Sequence, residues 1–537
     1  HGPCITTVPF RWQARHGDVH AVHAQLVSAL HHQFVHLTEV AHALGMDTSL
    51  FDVLFSFMPA PSAPKALPPG IGALDSNMAN DFVYALQVTA DEARDTLVLE
   101  ATFAPDRMPY EHADLFARQL EDSLRLLLEG GACEASLCAT VYPKPLEPDV
   151  SDTLLARFAR HAQDTPDATA LTFASSIEPY EATVLSYLEL DTLSSRYAAH
   201  LAASQDPAVY VHLPRCIDLY IVLLAAWKAH KVYVPLDPTL PLERLQYMIQ
   251  VVGAGTLVTH DTSLAVPLPR YTLAQLRQDS AWLPTVPRLD VPSYILFTSG
   301  STGKPKGVQV SHRALAAALL SWERLLPHTR ASRLLQLASP GFDVSLFEVC
   351  LPLGLGFSVA TAPKDVLLTD LEAAFRALRI TMADLPAALA ALVHPDHVPP
   401  LEWLMSGGDV IDERVVRAWG APPHRLINAY GPTEGTIGNT LGFVDGQTRR
   451  SVVGDVYPAT ALYICGRDSF IAAYTGAVGE IVVGGPQVAD GYVGAPDLTA
   501  AKFFTLPNGQ RVYRTGDRGR LLADGRVECL GRMERGQ

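Results

Sequence analysis

The stretch from residue 209 to 259 constrains the fold most, because it alternates apolar β-rich runs with helical ones at a regular spacing. Strand-like runs at 209–213, 232–236 and 256–259 enclose helical runs at 217–229 and 242–252. Strands joined through a helix run parallel, and a parallel sheet needs helices over its faces, so this β-α-β-α-β order predicts a layered α/β core. From about Gly454 the pattern changes to short strands with glycine turns, among them 479–484 and 526–530, which predicts a small antiparallel or barrel-like subdomain.

At 537 residues the chain has room for about three domains or large subdomains. Pro143, Pro145 and Pro148 disfavour both helix and sheet ladder, so 141–150 is read as a linker between a first domain at 1–140 and a second at 151–537. Before the linker, Leu115, Phe116, Leu120, Leu124 and Leu127 fall near one face of a helix over 111–128. After it, Ser151 or Asp152 is expected to cap a helix whose Leu154, Leu155, Phe158, Ala159 and Ala162 form an apolar stripe.

Composition excludes several classes. With 48% hydrophobic and 18% charged residues the chain is globular rather than disordered, and a net charge of -15 repels a phosphate backbone, so no nucleic-acid partner is expected. No apolar span is long enough for a bilayer, and no membrane partner is expected. The seven cysteines are scattered, Cys133 and Cys138 lack a second pair at zinc spacing, and no signal pattern follows His1. A cytoplasmic setting and an excised fragment are the expectation.

The strongest local signal is the apolar run 294–298 leading into Thr298, Ser299, Gly300, Ser301, Thr302, Gly303 and Lys304, followed by Pro305 and Lys306. Glycines let the backbone approach phosphate oxygens, hydroxyls donate to them, and Lys304 and Lys306 offset their charge. Pro305 stands where a Walker A loop needs a magnesium-binding hydroxyl, which excludes the simplest NTPase reading.

That loop is followed in order by Phe342-Asp343-Val344-Ser345, by Asn428-Ala429-Tyr430-Gly431-Pro432-Thr433-Glu434, by Tyr513-Arg514-Thr515-Gly516-Asp517 and by Gly531-Arg532. The set resembles the adenylate-forming superfamily over 151–537. Residues 185–190 and 227–237 are similar to early motifs of nonribosomal peptide synthetase adenylation domains, and residues 2–11 and 49–57 resemble the C-terminal lobe of a condensation domain. The condensation motif His-His-x-x-x-Asp-Gly is absent, since His31-His32 is not followed by Asp-Gly, so that α+β lobe is expected to be catalytically dead.

The resemblance implies that the chain activates an amino acid with ATP and Mg2+. On it, Lys304, Thr433 and Glu434 are catalytic, with Thr433 on the α-phosphate and Glu434 holding magnesium. Residues 298–304, Gly408, Asn428, Ala429, Tyr430, Gly431 and Thr433 surround the nucleotide, Tyr430 stacks on adenine, and Asp517 and Arg532 grip the ribose. Taken singly, Tyr430 reads as core, Asp517 as a turn residue and Glu434 as a solvated carboxylate. The substrate pocket by the same resemblance is Asp343, Val344, Phe347, Asp384, Met405, Gly407, Ala429, Ile437 and Gly438, with Asp343 on the α-ammonium. Gly407, Ala429 and Gly438 leave space, and Asp384 adds an acceptor that an apolar side chain would leave unsatisfied.

Residues 307–312 and the N-terminal segment resemble fungal siderophore synthetases of the ferrichrome type, which implies N5-acyl-N5-hydroxyornithine as substrate. The partners implied are the carrier domain, with its phosphopantetheine, and the condensation domain of the same synthetase. The family's C-terminal lysine lies beyond a hinge matched here by Glu534, so ligand binding with weak adenylation and no thioester transfer is expected of residues 1–537. Residues 354–358 only faintly resemble a carrier serine motif and read as strand and turn. Two other readings are an acyl-CoA or aryl acid ligase, which needs no carboxylate at Asp343, and a noncatalytic nucleotide-binding or docking module.

Overall fold

This computed structural model describes residues 53–59, 84–91, 96–103, 140–141, 145–149, 151–280, 288–299, 304–466, 475–506 and 509–533, with isolated positions between 110 and 121. The chain divides into two compact units, His1–Leu137 and Cys138–Gln537. In the first, strand Tyr84–Asp91 pairs parallel with Val53–Pro59 and antiparallel with Thr96–Phe103. His31-His32, Cys133 and Cys138 lie outside the described residues, and the helix expected over 111–128 falls within them only at scattered positions.

The second unit carries the predicted layers. Strand Ala208–His212 pairs parallel with both Val232–Pro235 and Gly255–Thr259, and helices Ile217–Lys228 and Leu242–Val252 make the crossovers. Helix Ile217–Lys228 is apolar around most of its circumference and buries Leu219 through Trp227, as a helix enclosed by its neighbours must. The sheet continues through Pro292–Thr298, which turns back antiparallel as Lys306–Ser311. The strands on either side of the basic loop are therefore antiparallel neighbours, whereas a Walker A loop is followed by a helix.

A second sheet runs in parallel register through Thr169–Ser176, Ser358–Thr361, Arg333–Leu335, Met382–Asp384, Trp403–Gly407 and Leu426–Tyr430. It then becomes antiparallel through Thr440–Val444, Val452–Val456, Val527–Arg532, Arg511–Leu521, Gly479–Gly484 and Ala461–Cys465. The expected change of pattern near Gly454 is this change of strand direction.

Two local expectations shift. The helix after the linker is Leu154–Asp164, and its cap is Thr153, whose hydroxyl accepts from the Ala156 amide at 3.2 Å. Asp152 instead takes charge-assisted bonds from Arg157 and Arg160. The proline-rich segment is also tied down: Thr140–Val141 pairs with Ala461–Cys465, and the Leu146 amide donates to the Pro458 carbonyl at 2.9 Å. Residues 354–358 are a helix end followed by strand Ser358–Thr361.

Candidate active site

Three adjacent parallel strands end together. Met382–Asp384, Trp403–Gly407 and Leu426–Tyr430 align Asp384 with Met405 and Gly407 with Ala429, so their carboxyl ends present these residues at one edge. Helix Val344–Leu355 starts at the same edge, capped by Asp343, whose carboxylate accepts from the Val344 amide at 3.0 Å. Ligands of open α/β sheets bind outside the carboxyl ends of the strands. A cavity of about 440 Å3 opens there, and Asp343, Val344, Phe347, Asp384, Met405, Gly407, Ala429, Ile437 and Gly438 all line it.

A larger cavity of about 1390 Å3 adjoins the first, sharing Ser339, Phe342, Asp343, Gly408 and Gly431 with it. Its wall includes Thr298, Ser299, Thr433, Glu434 and Arg532, together with Lys306. Asp343 thus stands at the junction of the two spaces. Thr433, on the wall of the larger cavity, is near enough to Asp343 to favour its ionised form. Burial pushes the Asp343 carboxyl above its ordinary value, with the nearby Glu434 charge acting in the same direction.

Tyr430 lines the smaller cavity and Arg532 the larger, and Asp517, which lines neither, joins them: the Tyr430 hydroxyl donates to Asp517 Oδ2 at 2.7 Å and Arg532 pairs with Asp517 at 3.1 Å. Asp517 and Arg532 are cross-strand partners in the antiparallel sheet, which is why residues so placed in sequence meet. Burial raises the Asp517 carboxyl despite the Tyr430 bond and the Arg532 charge.

Glu434 is 6% exposed, which is not a solvated carboxylate. Its Oε1 accepts from the Tyr492 hydroxyl at 2.6 Å, and the Tyr492 and Tyr513 hydroxyls lie 3.2 Å apart. No cluster of three or more His, Cys, Asp or Glu suited to a metal occurs among the described residues. A single buried carboxylate facing a roomy polar cavity fits magnesium, which takes one or two protein carboxylates and completes its shell with phosphate and water.

In the smaller cavity, burial and then the Asp343 charge push the Asp384 carboxyl up to about 7. Behind it lies Glu348, fully buried and pushed up to about 8 by burial and by Asp384. Glu348 accepts from Gln336 Nε2 at 3.0 Å and from the amides of Leu337 and Ala338 at 3.1 and 2.9 Å. It therefore ties the helix that begins at Asp343 to the loop that lines both cavities.

Several expected residues sit differently. Asn428 is buried outside both cavities and donates its amide to the Val452 carbonyl at 2.9 Å, so its carboxamide joins the antiparallel strands and is not presented to a nucleotide. Lys304 is exposed and lines neither cavity, whereas Lys306 lines the larger one, with its ammonium 4.7 Å from the centre of the Tyr492 ring. A Cβ on Gly407 would meet the Ala429 carbonyl oxygen at 2.7 Å, so glycine there serves close strand approach as well as space. Gly300, Ser301, Thr302, Gly303 and Glu534 lie outside the described residues. Sequence reasoning missed Tyr457, Glu348 and Tyr492, and the place of Tyr513 on the wall of the larger cavity. Tyr492 follows Gly491 in a short strand, and its spacing alone carried no signal.

Comparison with known proteins agrees with this geometry. Residues 158–493 match the family described as AMP-binding enzyme. The chain is 45% identical over 99% of its length to a ferrichrome siderophore peptide synthetase of Mycosarcoma maydis, of which it covers 13%. Among solved structures it is similar to the N-terminal subdomain of Klebsiella oxytoca NpsA in complex with 3-hydroxybenzoyl-AMSN, at 26% identity and a TM-score of 0.63, covering 71% of this chain and 100% of that one. It is also similar to the nonribosomal peptide synthetase FmoA3, at 25% identity and a TM-score of 0.73, over 95% of this chain and 58% of that one. The chain spans only about an eighth of the length of the curated relatives it matches first. With two adjoining cavities at the strand ends and a family match over most of its length, the chain belongs to the AMP-binding enzymes, the adenylate-forming ligases.

Proposed function

We propose that this chain activates an amino acid as aminoacyl-AMP for a hydroxamate siderophore peptide, with N5-acyl-N5-hydroxy-L-ornithine as substrate. The observation that carries the reading is Asp343, a carboxylate at the wall between the two cavities. An α-ammonium held there would direct its own carboxylate into the larger cavity. ATP lying across Tyr430, Thr433 and Asp517 would place its α-phosphorus in that path.

A carboxylate oxygen then attacks the α-phosphorus, the bond to the bridging oxygen of the β-phosphate breaks, and pyrophosphate leaves. No protein nucleophile takes part. Alignment supplies much of the rate, since fixing two reactants removes the entropic cost of their encounter. Glu434 would hold magnesium, which would supply charge neutralisation on the phosphates. Tyr492 fixes the Glu434 carboxylate, Lys306 adds positive charge, and Thr433 offers its hydroxyl to the α-phosphate.

The Asp384 carboxyl supports the choice of side chain. With a value near 7 it exists as acid and carboxylate together at neutral pH, so it can donate as well as accept. An N-hydroxyl beside an acyl carbonyl offers both roles, whereas a plain ammonium offers donors alone. The name of the Mycosarcoma maydis relative supports the pathway class. Transfer to the phosphopantetheine thiol of a carrier domain and use by a condensation domain of the same synthetase would follow.

The test is ATP–pyrophosphate exchange by the whole synthetase with N5-acetyl-N5-hydroxyornithine, ornithine, serine, glycine and the matching des-amino acids. Exchange should depend on the hydroxamate amino acid. Asp343→Ala should abolish it while nucleotide binding persists. Equal exchange with des-amino acids, or by the variant, would show an acyl or aryl acid ligase instead.

A further inference from the structure

The larger cavity is lined by the cations Arg244, Lys306, Lys502, Arg514 and Arg532 and by the carboxylates Asp237, Asp343, Glu434 and Glu480. Arg532 is already engaged, pairing with Asp517 at 3.1 Å and donating to the Thr515 carbonyl at 2.9 Å. Arg514 pairs with Glu480, and the Lys306 ammonium lies over the Tyr492 ring. Lys502 lines the same cavity and has no hydrogen-bond or ion-pair partner among the described residues.

Its position is specific. Gly516, at φ +75°, presents bare backbone, and a Cβ built there would lie 3.6 Å from Arg532 Nη1 and 3.9 Å from Lys502 Nζ. The two cations thus flank one uncovered glycine beside the Asp517–Arg532 pair. Lys502 and Arg532 are also both close enough to Lys306 for their charges to act on it. Three positive groups converge on a cavity that also contains Glu434. An unpartnered ammonium among like charges is unfavourable until an anion arrives. Lys502 also ends helix Pro496–Lys502, where a cation favours the helix dipole, and that alone would explain a lysine on the surface. It does not explain an ammonium turned into the cavity beside Gly516.

We infer that Lys502 is a phosphate-binding residue that contacts the β- and γ-phosphates of ATP and holds the departing pyrophosphate. The assignment rests on the nucleotide reading of the larger cavity. With Asp517 and Arg532 placed at the ribose end and Thr433 at the α-phosphate, the remaining anionic part of the ligand is the terminal phosphates. A charge-assisted contact of this kind acts on ATP and pyrophosphate and leaves AMP untouched.

Calorimetry of this chain with ATP and magnesium, with ADP and magnesium, and with AMP, for wild type, Lys502→Gln and Lys502→Arg, tests the assignment. Lys502→Gln should weaken ATP about tenfold, change AMP less than about twofold, and Lys502→Arg should recover most of the loss. In the whole synthetase, Lys502→Gln should raise the KM for ATP and for pyrophosphate and leave the KM for the amino acid unchanged. ATP and AMP weakened alike, together with a lower melting temperature, would assign Lys502 to the helix end and overturn the proposal. Wild-type binding of ATP with an unchanged Lys502→Gln would overturn it alone, whereas wild type that binds no nucleotide would overturn the reading of the cavity as well.

Discussion

Asp384→Asn should stabilise the protein, and by an amount that grows with pH. In the unfolded chain the Asp384 carboxyl titrates at its ordinary 3.8, and in the folded protein burial and Asp343 push it up to about 7. Between these values the folded form binds more protons, so stability falls as pH rises through that window and stays low above it. At 1.36 kcal/mol per pKa unit the whole shift is worth about 4 kcal/mol as an upper bound, and solvent relaxation brings the expected figure to about 2 kcal/mol. Asparagine keeps the shape and removes the charge. Urea unfolding of wild type and variant at about pH 5 and about pH 8.5 isolates the effect, because any fixed cost of the amide cancels in the difference. Asp384 also helps hold the Glu348 carboxyl up at about 8, so removing its charge lowers Glu348 in the variant and adds to the gain at the higher pH. The variant should gain about 1 to 2 kcal/mol more at the higher pH. An equal effect at both values, or a loss that deepens with pH, would mean that Asp384 is ionised against a cation and would refute the reasoning.

Other perturbations have equally definite outcomes. Tyr430→Phe removes the hydroxyl that donates to Asp517 at 2.7 Å, and should raise the KM for ATP about fivefold to tenfold in exchange assays while sparing that for the amino acid. Gly407→Ala forces a methyl against the Ala429 carbonyl oxygen of the neighbouring strand, and should cost about 1 to 3 kcal/mol, read as a lower melting temperature with or without ligands. Asp343→Ala, by contrast, should cost activity and little net stability, because the lost helix cap is offset by removal of a charge that burial disfavours.

Much of this architecture is written in local pattern. The alternation over 209–259 became the parallel strands and crossover helices, because apolar period and turn spacing are local signals. Some motif residues turned out to hold the fold rather than the chemistry. Ser186 and Glu189 form a capping box, with the Ser186 amide donating to Glu189 Oε2 at 2.8 Å, and Lys228 pairs with Asp191 at 2.6 Å. Asn428 belongs with them. The cap at Thr153 was misplaced by a residue or two because Ser151, Asp152 and Thr153 are all good caps, and the arginines that claim Asp152 lie further along the helix. Glu348 was illegible for another reason: within an apolar helix its partners are backbone amides of a loop brought near only by the fold. Tyr457, on the wall of the smaller cavity, has no motif around it and enters through packing alone.

The bond from Tyr430 to Asp517 joins the last parallel strand to a strand of the antiparallel part, across 87 residues of chain. A ligand seated against both therefore measures the angle between two halves of one folded body. Tightening that junction, by nucleotide or by substitution, should be felt by every strand between them.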